Sequence, residues 1–322
     1  MKKIIGCAFF VLAFMFILPL GVMKKPETVE AAATAASPVI SREDSYAADT
    51  FRVLEKESGA ITEMTAKEYI FGVLAAEMPA LYDKEALKAQ AVAAYTFACY
   101  RRVENADKDY DITTDFNTDQ SFITEEKARE KWGDKADEYC DKLKGIADET
   151  ENLAITYDGK PILAVYHAVS SGKTEDCKNV WGKEYPYLKA VASPGDTLAP
   201  DYIGKAVFTA DEVKSRLSEK VDFSGEPQDY FGEAKRTASG TVTSIEVCGA
   251  DLSGAEIREA FSLRSADFEA DYKEDKFTFT MYGYGHGVGM SQYGADYMAK
   301  QGSDFKEILL HYYSGCRVER LD

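Results

Sequence analysis

The seven residues Gly283–Gly289 read GYGHGVG, so every second side chain is missing. A backbone stripped along one face cannot pack by that face, and another piece of chain or a ligand must approach it closely. Before the run, Phe277, Phe279 and Met281 point one way from a strand. After it, apolar spacing predicts helices around 290–300 and 304–313. Strand, glycines and helix invite a dinucleotide-binding reading, but the spacing is not GxGxxG and too little chain follows for a complete βαβ unit. Gly289–Gly294 misses the hydrolase elbow GxSxG by one residue. Two readings stay open: a structural glycine turn, or one wall of a site.

A second constraint lies near the start of the folded region. Thr65 followed by Glu68 forms a capping box for a helix over Ala66–Met78. Glu77 falls three residues after Leu74 and seven after Ile70, on the face these apolar residues define. A carboxyl placed there loses hydration, its pKa rises, and it becomes a candidate general acid. The plainer reading is a glutamate that reaches solvent at the helix end. Asp83 caps the next helix, KEALKAQAVAAYTFACYRR, on which Lys88 and Tyr95 share a face that lines a polar cleft or forms an exposed stripe. Farther on, His167 ends an apolar strand and SSGKT forms a turn rich in donors. That turn suits a sugar or carboxylate, or is an ordinary Ser/Gly loop.

The remaining pattern mixes elements in irregular order. Residues 110–124 read as loop and short strand, a helix is predicted around 125–144, and another reaches to about 150. Asp158-Gly159 predicts a hairpin between Ala154–Tyr157 and Ile162–His167. A helix over Ala210–Lys220, a strand over Thr241–Cys248 and a helix capped by Ser253 and Glu256 follow. This is α+β, with room for two lobes around a cleft.

Twenty uncharged residues, Ile4–Met23, lie between Lys2-Lys3 and Lys24-Lys25. At about 1.5 Å per residue they span roughly 30 Å, so residues 1–25 are expected to be an uncleaved membrane anchor. Residues 26–50, rich in Ala, Ser, Pro and Glu, read as a flexible tether, and 51–322 as the folded region. Net charge is −17, from 55 acidic and 38 basic residues. That balance argues against nucleic acid as the main partner. Six cysteines without a CxxC pair make neither a disulfide framework nor a zinc finger, so most are expected to be small buried hydrophobes.

The runs EYIFGVLAAEMPALYDKEALKAQAVAAYTFA, TDFNTDQSF, YHAVSSGKTEDCKNVWGKEYPYLKAV, LRSADF and GYGHGVGMSQYGA together resemble the stage II sporulation protein D family. The resemblance extends from about residue 62 to the C-terminus. It implies a peptidoglycan lytic transglycosylase that acts on denuded glycan strands during engulfment in sporulation. Such a protein is anchored in the mother-cell membrane with its catalytic region on the extracytoplasmic side, facing the forespore septum, and works with an amidase and a membrane scaffold. Its catalytic acid corresponds to Glu77. Lys88 and Lys173 are candidates to hold the lactyl carboxylate, and Gln120, His167, Ser170, Tyr284, His286, Gln292 and Tyr293 are candidates for substrate contacts. No cofactor is implied. Some clostridial relatives bind zinc near the residue matching Gln120, but Thr118 and Asp119 precede it here, so no metal is expected. Many relatives carry Arg where this chain has Tyr95, and a paired Gly-Gly where it has Ser171-Gly172.

Two rival functions come from other classes. One is a catalytically silent wall-binding protein that recruits or enhances an amidase. The other is a serine hydrolase built on Ser291 with His286 or His311.

Overall fold

The structure, a computed structural model, describes residues 46–321. The run Ile4–Met23 and the expected tether up to residue 45 lie outside the described residues, and the anchor expectation lies there with them. Among the described residues no helix is long and apolar enough to cross a membrane.

Strand β1 (Thr50–Leu54) pairs antiparallel with β2 (Ile61–Thr65), whose last residue caps α1 (Ala66–Glu77). The capping box forms as expected: the Thr65 hydroxyl accepts from the Glu68 N–H, and the Glu68 carboxylate accepts from the Thr65 N–H at 2.8 Å. Helix α2 (Lys84–Glu104) begins at Asp83 and is buried around most of its circumference between Ala86 and Cys99. Its alanines, among them Ala86, Ala89, Ala93, Ala94 and Ala98, keep the rod slim, so neighbours close in on several sides; a helix apolar all round belongs in a core.

After β3 (Ile112–Thr113), parallel to β1, two helices arrive as expected over 125 to about 150, but the boundary between them falls earlier, near residue 133. These are α3 (Glu125–Trp132) and α4 (Ala136–Glu149), broken at Gly133, whose φ is +53°. Strand β4 (Leu153–Tyr157) turns at Asp158-Gly159, but its return strand β5 is only Lys160–Pro161. The expected second arm, Ile162–His167, is drawn elsewhere: the Val165 carbonyl accepts from the Tyr313 hydroxyl at 2.8 Å and from the Met290 N–H at 3.3 Å. Strand β6 (Tyr166–His167) therefore lies beside the chain that follows the glycine run.

Helix α5 (Cys177–Trp181) and a 3-10 turn over Pro194–Leu198 come next. The chain then builds a second lobe from β7 (Ile203–Thr209), α6 (Ala210–Leu217), β8 (Phe231–Arg236), β9 (Val242–Val247), β10 (Ala250–Leu252), α7 (Gly254–Phe261), β11 (Phe268–Lys273) and β12 (Lys276–Tyr282). Two antiparallel sheets, ordered β11-β12-β7 and β10-β9-β8, enclose a core of their own that includes Tyr230, Phe261, Phe268, Phe277 and Phe279. The Gly283 N–H donates to the Tyr202 carbonyl at 2.8 Å, so the chain returns to the point it left. Strand β13 (Met290–Ser291), α8 (Gln292–Lys300), α9 (Phe305–Tyr312) and β14 (Arg317–Arg320) then complete the first lobe, with β13 parallel to β6 and β14 antiparallel to β4. The architecture is mixed α+β with several small sheets. Side-chain bonds stitch the lobes: the Ser171 hydroxyl donates to the Ser239 carbonyl at 2.6 Å, and the Thr237 hydroxyl to the Glu175 carboxylate at 2.6 Å.

What approaches the glycine run is β6 and its flanks. A Cβ on Gly283 would sit 2.7 Å from the Val169 carbonyl oxygen, and one on Gly289 would overlap the Val165 carbonyl, while both φ angles are +73°. Close approach and left-handed backbone both demand glycine there.

Candidate active site

Glu77 is the last residue of α1. The helix presents it on the Ile70–Leu74 face, and the residue as a whole is half-buried. Its oxygen Oε1 accepts from the Ser121 N–H at 2.9 Å, and Oε2 accepts from the Gln292 side-chain amide at 3.3 Å. Burial raises its pKa above the ordinary 4.5, against the opposing pull of the Ser121 N–H, the Ser121 hydroxyl and the Gln292 amide. Desolvation dominates because the donors are few and one is long.

Delivery of the Ser121 N–H depends on Gly72. A Cβ there would overlap the Phe122 ring and lie 2.7 Å from the Ile123 carbonyl; in its absence the Ile123 N–H donates to the Gly72 carbonyl at 3.2 Å. Segment 120–123 thus lies flat on α1. Gln120 fixes the same segment from behind: its amide nitrogen donates to the Tyr69 hydroxyl at 3.0 Å, and its oxygen accepts from the Tyr166 hydroxyl at 2.7 Å. Only 3% exposed, Gln120 is a clamp behind Ser121. Gln292, at the start of α8, is anchored similarly, since its amide also reaches the fully buried Gln90 carbonyl at 3.5 Å.

The other predicted residues take different places. Lys88 holds Glu85 at 2.8 Å and Glu149 at 3.0 Å, and so is spent on ion pairs. Lys173 is half-buried. Ser170 gives both its N–H (2.8 Å) and its hydroxyl to Asp196, which also accepts from the Ser291 hydroxyl at 2.8 Å. The Tyr284 ring lies under the Arg264 guanidinium at 4.7 Å, and Tyr293 donates to the Leu198 carbonyl at 3.1 Å.

Both histidines near the glycine run serve the fold. His167 Nδ1 lies 3.1 Å from the Val288 carbonyl, which a protonated Nδ1 bonds, and His286 Nδ1 accepts from the Val288 N–H at 3.0 Å. Burial pushes His167 down to about 4 and His286 down to about 3. The rings are 5.8 Å apart. The serine-hydrolase reading fails here: the Ser291 hydroxyl is bonded to Asp196, and His311 is bonded to the Ala192 carbonyl at 2.8 Å. The five cysteines of the described region are free, and all but Cys248 are buried. Among the described residues no three His, Cys, Asp or Glu side chains group as a metal site.

Ser121, Tyr166 and Gln90 were not singled out in the sequence. Gln90 carried the same signal as Glu77, a polar residue on an apolar helix face, here four residues before Ala94 and three after Leu87.

A family model described as Stage II sporulation protein matches residues 54–157. The chain is 36% identical over 307 residues to the Stage II sporulation protein D of Bacillus subtilis (strain 168), an alignment covering 94% of this chain and 85% of the relative. It is 36% identical over 274 residues to the protein of that name from Bacillus amyloliquefaciens, covering 84% and 78%. The Amidase enhancer of Bacillus subtilis (strain 168) is 27% identical over 300 residues, covering 76% of this chain and 39% of that protein.

Proposed function

This chain belongs to the stage II sporulation protein D family, and on that premise we propose that it is a lytic transglycosylase of denuded peptidoglycan strands with Glu77 as its acid and base. The observation that carries the reading is a single carboxyl, raised in pKa by burial and steered by the Ser121 N–H and hydroxyl and by one amide. Among the described residues no other carboxylate acts on it. A hydrolase of the usual kind needs two carboxylates, the second to activate water or attack the sugar. A lytic transglycosylase needs one.

In the mechanism, neutral Glu77 gives its proton to the oxygen linking N-acetylmuramic acid to N-acetylglucosamine. The bond from the anomeric carbon to that oxygen breaks, and the N-acetylglucosamine side leaves as an alcohol. The muramyl 6-hydroxyl then bonds to the anomeric carbon and surrenders its proton to the ionised Glu77. The 1,6-anhydro ring closes, and the acid is restored. Ser121 and Gln292 stabilise the carboxylate between the two transfers without keeping it ionised beforehand. In this reading the apolar run Ile4–Met23 anchors the chain in the membrane, with the folded region on the extracytoplasmic side. The sporulation amidase and a membrane scaffold are its partners.

The test is mass analysis of products from denuded strands incubated with the full chain in detergent. The wild type is expected to release 1,6-anhydro ends and Glu77→Gln none. The likeness to an amidase enhancer supports a second reading, a silent wall-binding protein, which predicts strand binding by the wild type without new ends.

A further inference from the structure

Leu81 and Leu198 are the most exposed large hydrophobic residues of the described region, at 74% and 64%. Neither sits on a loose loop. The turn bearing Leu81 is gripped by Lys142, whose ammonium donates to the Ala80 carbonyl at 2.7 Å and the Tyr82 carbonyl at 2.8 Å. The Tyr82 N–H closes the same turn onto the Pro79 carbonyl at 2.9 Å. Leu198 ends the 3-10 turn that contains Asp196, the carboxyl tied to Ser170 and Ser291. Two leucines are therefore held out in water by two pinned segments. A single exposed leucine is ordinary, but exposed apolar groups joined into one patch mark a binding surface.

These segments meet through two tyrosines. Tyr82, next to Leu81, lies edge-on to Tyr293 with ring centroids 6.4 Å apart, and the Tyr293 hydroxyl donates to the Leu198 carbonyl at 3.1 Å. Lys300, paired with Asp296 at 2.5 Å, lies 5.9 Å over the Tyr82 ring and gives the patch a polar edge. The patch is tied to the candidate acid through short stretches of chain at both ends. Tyr293 follows Gln292, whose amide touches Glu77, and Leu81 is four residues beyond Glu77.

We propose that Leu81, Tyr82, Tyr293 and Leu198 form a shelf that takes the apolar face of a pyranose ring of the glycan strand, next to the bond being cut. This rests on the reading of Glu77 given above. A sugar ring has an apolar C–H face and a rim of hydroxyls, which matches an aliphatic and aromatic floor with a charged edge. A stable protein partner would need about 800 Å² on this chain, far more than four side chains present.

The test uses the full chain in detergent in a Glu77→Gln background, so that strands are bound and not cut, with purified denuded glycan strands as the probe. The double substitution Leu81→Ser with Leu198→Ser is expected to weaken binding roughly tenfold. Its melting temperature should match the parent, because both side chains lie in solvent. Tyr82→Ala should weaken binding comparably, and Tyr82→Trp should restore it. Val207→Ser, an equally plain loss of an exposed apolar group (53% exposed) on the second lobe, should leave affinity within about twofold of the parent. Parental affinity in the double variant, or an equal loss in Val207→Ser, overturns the shelf. Failure of the Glu77 reading is seen separately, as absence of anhydro ends from the wild type.

Discussion

Two carboxyls of the first lobe, Glu77 and Asp196, share one electrostatic symptom and differ in everything else. Burial raises the pKa of both. Asp196 is fully buried and saturated: the Ser170 N–H, the Ser170 hydroxyl and the Ser291 hydroxyl all donate to it, and Ser193 adds a further bond. Glu77 is half-buried and receives the Ser121 N–H, the Ser121 hydroxyl and one long amide bond. A carboxylate has about four lone-pair sites, so the first group is full and the second keeps room for a reacting oxygen. A perturbed pKa alone therefore does not mark a catalytic group. On the proposed reading, an acceptor site left open for a substrate oxygen is what sets Glu77 apart.

The substitutions that should separate the two carboxyls most sharply are their own. Glu77→Gln is expected to lower turnover by about 10³-fold, in the range of a lost general acid, while the melting temperature near neutral pH stays at or above the parent's. The stability gain has a definite sign. A carboxyl whose folded pKa is raised costs stability as pH climbs past its unfolded value, and the amide removes that cost. Asp196→Ala should do the reverse. Unsatisfied Ser170 and Ser291 should cost about 3 kcal/mol in denaturant unfolding, with turnover per folded molecule within about threefold of the parent. Equal loss of turnover in both variants would erase the distinction.

A smaller effect sharpens the Glu77 side. Gln292→Leu removes a donor that favours the ionised form, so the Glu77 pKa should rise further. The alkaline limb of the pH–rate profile should move to higher pH as turnover falls roughly tenfold. A limb moving to lower pH would contradict the bonding described. Smaller still is the contribution of His167, which burial keeps neutral down to about 4. The unfolded chain binds that proton and the folded one does not, so stability is lost as pH falls from about 6.5 toward 4. Differential scanning calorimetry across this window should show a shallower decline for His167→Gln than for the parent.

Much of this arrangement was legible in the sequence where the cause is local. The capping box at Thr65 and Glu68, the inward placement of Glu77 and the close approach demanded by the glycine run follow from spacing of a few residues. The hairpin at Asp158-Gly159 shows where locality ends. The turn forms, yet its second arm is claimed by Met290 and Tyr313, more than a hundred residues away. The clamps behind Glu77 are equally remote in sequence: Gln292 meets Gln90 across 202 positions, and Tyr166 meets Gln120 across 46. Lys88 and Ser170 read as ligand contacts because lysine on a helix face and serine in a turn look alike whether or not a carboxylate waits opposite. Glu149 and Asp196 wait there, in segments whose approach no local pattern announces.

The most direct test is a titration of the Glu77 side-chain carboxyl by carbon NMR in the full chain, assigned by the resonance lost in Glu77→Gln. A midpoint clearly above the ordinary glutamate value of 4.5 is predicted. A midpoint at or below 4.5 would mean that the carboxyl is ionised before any strand arrives, and would contradict its role as the proton donor.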